Sequence, residues 1–184
     1  MLKRILLSTI LLAATPLAAY ADNFSYTYVE GAYTSVSPQN GNTTSLTGAT
    51  VDGSYALNPS WHAFAGFDHV SCCDVSENDL DVGAGWNTDV AENLGLFIDG
   101  EFLSQNHSGS GNNTGWGAIG GLRAQLAVPF ELDGFVSHTD INSTTENTIG
   151  VRGLYSIDKF WHIFASYSNN SDANTFMVGV RYVF

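Results

Sequence analysis

Three features of the sequence predict an all-β chain folded as an antiparallel, up-and-down, closed transmembrane β-barrel. They are an N-terminal export signal, about ten segments of period-two alternation, and an aromatic C-terminal end. The export signal comes first in the chain. Lys3 and Arg4 form a short positive region, and Ile5 to Ala14 form an apolar stretch. Ala19-Tyr20-Ala21 offers small residues at the two positions that a signal peptidase inspects, which places cleavage after Ala21. The apolar run is broken by Thr9 and Pro16 and is short for a spanning helix. Residues 1–21 therefore read as a signal peptide and residues 22–184 as one barrel domain.

The alternating segments occupy 24–36, 44–57, 61–71, 78–88, 94–104, 115–127, 131–140, 147–157, 161–168 and 174–184. Most are long enough to cross a bilayer at a tilt. In the last, Phe176, Val178, Val180, Tyr182 and Phe184 share one face, while Met177, Gly179, Arg181 and Val183 share the other. In the sixth, Ala118, Gly120, Leu122, Ala124 and Leu126 oppose Gly117, Ile119, Gly121, Arg123 and Gln125. One face is apolar and the other collects glycine and charge. In lipid the apolar face points outward and the charges point into a polar lumen. Ten strands is the expected count, with eight the alternative if 61–71 or 161–168 is not a strand.

The linkers separate a barrel from a soluble sandwich. Ser37–Thr43, Cys72–Asn78, Gln105–Thr114, Asn142–Asn147 and Asn169–Ala173 are long and polar. Those between them are shorter, such as Asn58-Pro59-Ser60 and Val128-Pro129-Phe130. Counted from a periplasmic N-terminus, the long set falls outside and the short set inside, the usual asymmetry of outer-membrane barrels. Aromatics at strand ends, among them Trp61, Trp86, Trp116, Tyr155 and Trp161, fit girdles at the two interfaces. Gly53, Tyr55, Trp61, His62, Phe64 and Ala65 recur as Gly153, Tyr155, Trp161, His162, Phe164 and Ala165, an internal echo of one hairpin.

Beyond residue 21 the chain carries all eighteen acidic residues against four basic ones, Arg123, Arg152, Lys159 and Arg181, a net charge of −14. Such a surface repels phosphate backbones and argues against nucleic acid as a partner.

The ending Val178-Gly179-Val180-Arg181-Tyr182-Val183-Phe184 resembles the C-terminal strand of small Gram-negative outer-membrane β-barrel proteins. That resemblance implies a location in the cell outer membrane, contact with its lipid, and Tyr182 and Phe184 as the signal read by the barrel-assembly machinery. The start Asp22-Asn23-Phe24-Ser25-Tyr26-Thr27-Tyr28 is similar to that of xanthomonad-type barrels once described as sulfation-dependent quorum factors, which would put Tyr26 at the sulfated position. Tyr26 equally fits an interfacial strand start.

Three groups of residues are candidates for chemistry. By phase, Glu30, Asp52, Asp68, Asp81, Asp99, Glu101 and Asp133 point inward with Arg123, Arg152 and Arg181. Buried charges need partners, so this network reads first as a salt-bridged plug that fixes register. Its rival reading is a narrow, acid-lined path for cations. His69 and Ser71 share an outer-rim face, and such a pair serves lipid-cleaving barrel enzymes when an acid orients the histidine, but no outward acid flanks it. His107 and His138 read as solvated or interfacial side chains. Cys72 and Cys73 are candidates for a vicinal disulfide in an oxidising compartment. The histidines and cysteines lack a metal-ligand spacing, and no cofactor is expected. The outer loops read as short polar connections suited to solubility or surface contact. The expected role is structural or surface-interacting and non-enzymatic; a cation-preferring channel and a lipid-modifying enzyme are the alternatives.

Overall fold

A computed structural model of the chain describes residues 24–39, 44–73, 75–108 and 111–184. The signal peptide, its cleavage point and Asn40-Gly41-Asn42 lie outside these residues. Ten strands follow one another: β1 (Tyr28–Pro38), β2 (Leu46–Asn58), β3 (Trp61–Cys72), β4 (Val75–Ala91), β5 (Leu94–His107), β6 (Gly111–Ala127), β7 (Phe130–Ile141), β8 (Thr144–Ser156), β9 (Trp161–Asn169) and β10 (Ala173–Val183). Each pairs antiparallel with its neighbour, and β1 pairs with β10 from Tyr28↔Val183 to Pro38↔Ala173, which closes the barrel. The stretches 61–71 and 161–168 are both strands, so the eight-strand alternative falls.

Closure satisfies the backbone without a free sheet edge, which is what a strand structure needs in lipid. Among the described residues no helix is long and apolar enough to cross a membrane. The outer wall is apolar: Val51, Phe67, Val82, Ile98, Leu122, Val136, Ile149, Val178 and Val180 are all exposed. The alternate residues are turned inward and buried. At the end that holds the start of β1 and the end of β10, aromatic rings pack on one another. Tyr182 meets Trp161 edge-on at 4.9 Å and Phe184 at 5.2 Å.

The expected difference between long outer loops and short inner turns holds for residues 39–45 between β1 and β2 but not for the other outer connections, which are two or three residues long. β3 joins β4 through residues 73 and 74, and β7 joins β8 through Asn142 and Ser143, both with positive φ. The residues read as loop continue the strands instead. Ser76, Asn78, Asn112, Thr114, Thr145 and Asn147 alternate with inward groups above the apolar band. A strand that has left the bilayer needs no apolar outer face, so its polar end looks like loop in a hydropathy reading.

Inward glycines solve a packing problem on four hairpins. Phe64, Phe97, Phe135 and Phe164 are the direct cross-strand partners of Gly83, Gly121, Gly150 and Gly179. In each pair the phenyl ring lies where a Cβ on the glycine would stand. The echo at Phe64 and Phe164 therefore has a structural cause: both rings fill the same kind of notch.

Candidate functional site

The interior holds the chain's densest chemistry. All ten charged residues expected to face inward are enclosed: Glu30, Asp52, Asp68, Asp81, Asp99, Glu101, Arg123, Asp133, Arg152 and Arg181. Phase alone missed other members. Glu77 and Asp79 lie on the same face of β4 as Asp81, and Glu131 lies two residues before Asp133 on β7. Extending the period by one step reaches Asp79 and Glu131, and a second step reaches Glu77.

The arginines and their partners form one half of the network. Glu30 takes Arg181 Nε on Oε2 at 2.7 Å and an Arg152 terminal nitrogen on Oε1 at 2.6 Å. Arg123 is paired with Glu131 and has Asp133 at 3.4 Å. Each guanidinium also sits over a ring: Arg152 over Phe164 at 3.7 Å, Arg181 over Tyr28 at 4.1 Å and Arg123 near Phe24 and Tyr26 at 5.1 and 5.2 Å. Arginine suits this place because its planar fork bonds a carboxylate while its face stacks.

The wall built by β2 to β5 carries no Lys or Arg. Asp52, Asp68, Asp79, Asp81 and Glu101 are buried along it, with Asp68 and Asp79 directly opposite across β3 and β4. Thr50 donates to Asp68, and Thr34 is 2.6 Å from Thr50. Two imidazoles serve the ends of this wall. His62 Nε2 is 3.2 Å from Asp99, and His107 Nε2 is 2.7 Å from Glu77. His107, expected to be solvated or interfacial, is thus an interior partner. Among the described residues no three His, Cys, Asp or Glu side chains converge as a metal centre.

The segment before β1 crosses the end of the barrel that holds the start of β1 and the end of β10. It is tied to the wall on one side by backbone and side chain: Ser54 Oγ donates to Tyr26 O at 2.9 Å and Ala56 N donates to Thr27 Oγ1 at 3.0 Å. Its side chains reach the opposite side. Tyr26 stacks on His62 at 4.5 Å and packs with Phe97, Ile119 and Phe135. Phe24 lies against Gly95 on β5 and Arg123 on β6. Tyr26 is therefore not an interfacial residue. It is 4 % exposed inside the barrel, which leaves a modifying enzyme no access to its hydroxyl in the folded chain.

The outer-rim residues resolve differently. His69 Nδ1 is bonded to Asn78 Oδ1 at 2.8 Å, so an amide rather than an acid orients its ring, and Ser71 gains no triad from it. Cys72 and Cys73 lie side by side at the end of β3, their sulfurs 2.8 Å apart. Val36, Leu46, Val70 and Ala173 cap the outer end of the interior, with Cys72 packed against them.

The fold and this filled, polar interior define the class: a closed outer-membrane-type β-barrel. Solved structures share the fold. The chain is similar to a KdgM porin in complex with disordered oligogalacturonate, at 15 % identity and a TM-score of 0.54, covering 85 % of this chain and 99 % of that one. It is also similar to the β domain of the Bordetella autotransporter Brka, at 10 % identity and a TM-score of 0.52, covering 86 % and 99 %. A third is the translocator domain of the autotransporter NalP from Neisseria meningitidis, at 14 % identity and a TM-score of 0.51, covering 85 % and 88 %. No protein-family model and no curated protein sequence matches the chain.

Proposed function

We propose that this protein resides in the outer membrane of a Gram-negative cell as a closed, non-conducting and non-enzymatic barrel, with a structural role or one exercised through contacts at its outer rim. One observation carries this reading. From Tyr28 and Val183 at the periplasmic end, through Phe97, Ile119 and Arg123, to Val36 and Val70 at the outer end, the inward side chains are withdrawn from solvent. A barrel of this size can be filled by its own side chains, and this one adds an N-terminal strap across the mouth. Export through a leader cleaved after Ala21 and assembly through Tyr182 and Phe184 belong to the same reading.

Single-channel recording of the mature protein in a planar bilayer tests it. A flat trace is expected at all voltages that the bilayer withstands; repeated conductance steps would overturn the proposal. A second reading, a cation-preferring path, draws on the wall of β2 to β5, which carries buried acids and no Lys or Arg. It predicts cation-selective steps once Phe24, Ser25 and Tyr26 are deleted. The oligogalacturonate of the matched porin is not carried over, because an anionic chain is repelled by that wall.

A further inference from the structure

The hairpins β3–β4 and β7–β8 carry the same outward device in otherwise different sequences. Counted inward from a two-residue turn, His69 and His138 hold the same place on the first strand, and Asn78 and Asn147 hold the same place on the second. The partners are in direct register. In both pairs the imidazole Nδ1 meets the amide Oδ1, at 2.8 and 2.9 Å. The residue before each asparagine is a buried glutamate, Glu77 or Glu146, turned inward. Each histidine stands eight residues beyond an interfacial aromatic, Trp61 or Phe130. A tilted strand rises about 20 Å along the membrane normal in that length, close to the height of a barrel's apolar band. Both pairs therefore sit at the outer edge of the lipid-facing wall, just above Phe67 and Leu80 in one case and Val136 and Ile149 in the other.

The chemistry of the pair follows from the bond. An amide oxygen only accepts, so Nδ1 carries the proton and donates. In the neutral ring Nε2 then presents a lone pair on the side of the ring away from the asparagine, whose NH₂ presents donors of its own. Two separate hydroxyls of one sugar suit the pair: one O–H donates to Nε2, and another hydroxyl oxygen accepts from the amide. No Lys or Arg lies on β3, β4 or β7, and the one on β8, Arg152, is buried against Glu30, so these rims lack the positive charge that recognises phosphate.

We propose that His69 with Asn78, and His138 with Asn147, are twin binding sites for the sugar hydroxyls of an outer-leaflet glycolipid headgroup. The mature protein in phosphatidylcholine vesicles, with or without lipopolysaccharide, provides the test, read as the temperature at which folded protein converts to the slow-migrating form on a gel. Lipopolysaccharide is expected to raise that temperature. The double variant H69F/H138F, which keeps an aromatic ring but loses the nitrogens, is expected to match the parent in phosphatidylcholine alone and to lose most of the rise. Each single variant is expected to lose about half of it. Phosphatase-treated lipopolysaccharide is expected to keep the effect. An equal rise in parent and double variant overturns the proposal. So does a rise that disappears on dephosphorylation, since phosphate would then be the group read.

Discussion

Glu30 and Arg181 are direct register partners on β1 and β10, joined at 2.7 Å across the seam that closes the barrel. The same carboxylate holds Arg152 of β8 with its other oxygen, so one acid ties the seam to a strand two positions further round the wall. Both arginines are buried, and removing their acid would leave two enclosed guanidinium groups short of a counter-charge. Breaking a buried pair from one side costs about 3–5 kcal/mol. Glu30→Gln is therefore expected to lower the unfolding free energy in vesicles by at least that range, as measured by urea titration. Replacing Glu30, Arg152 and Arg181 together by apolar residues should recover much of the loss. A Glu30→Gln variant as stable as the parent would show that the seam does not depend on this ion triad.

The notch between Phe97 and Gly121 makes a second prediction. Phe97 is fully buried, and a Cβ at position 121 would overlap its ring and the carbonyl oxygen of Gly134. Phe97→Ala is expected to cost about 3–5 kcal/mol through the cavity it leaves. Gly121→Val should cost a comparable amount by expelling the ring, and the two losses should not add, because both destroy one contact. A double variant whose loss equals the sum of the single ones would refute the joint. By contrast Gly134, with nothing within 4 Å of its Cβ position, should accept alanine with little change.

These residues show what was legible in the sequence. Period-two alternation fixed the inward face, because a one-residue slip would turn Arg123, Arg152, Arg181 and the acids beside them into lipid. Strand number and the inward placement of Arg123, Arg152 and Arg181 follow from that alone. Strand length did not, since Glu77, Asn78 and Asp79 are polar on both faces and carry no hydropathy signal. The strap was also illegible: Phe24 and Tyr26 alternate like strand residues, and only the closed barrel shows them crossing the mouth toward Arg123. The His–Asn device left a readable trace, a histidine followed nine residues later by asparagine after glutamate, at His69 and at His138. It escapes a search for catalytic spacing because its partner is an amide.

The strap itself is testable. Tyr26 is buried against Phe97, Ile119, Phe135 and His62, so Tyr26→Ala is expected to cost about 3–5 kcal/mol and to open the periplasmic mouth to water. Slow amide exchange at Ile119 and Phe135 should quicken, while exchange at Val36 and Val70, under the outer cap, should not change. Uniform quickening along the barrel would mean that Tyr26 contributes to global stability without acting as a local closure.

The turn between β8 and β9 supplies a pH-dependent prediction. Asp158 accepts hydrogen bonds from Phe160 N at 2.7 Å and Trp161 N at 2.8 Å. These two donors hold its carboxyl below the usual range, the Trp161 bond contributing most. A carboxylate whose folded value is depressed binds fewer protons than it does in the unfolded chain. Its contribution to stability is therefore present above the ordinary aspartate range and is lost as the pH falls through the lowered folded value. Asp158→Ala should unfold faster than the parent at neutral pH, and the gap should narrow on acidification below the ordinary aspartate range. A gap that stays constant across that window would assign the effect to the shape of the turn, and one that widens would reverse the sign of the linkage.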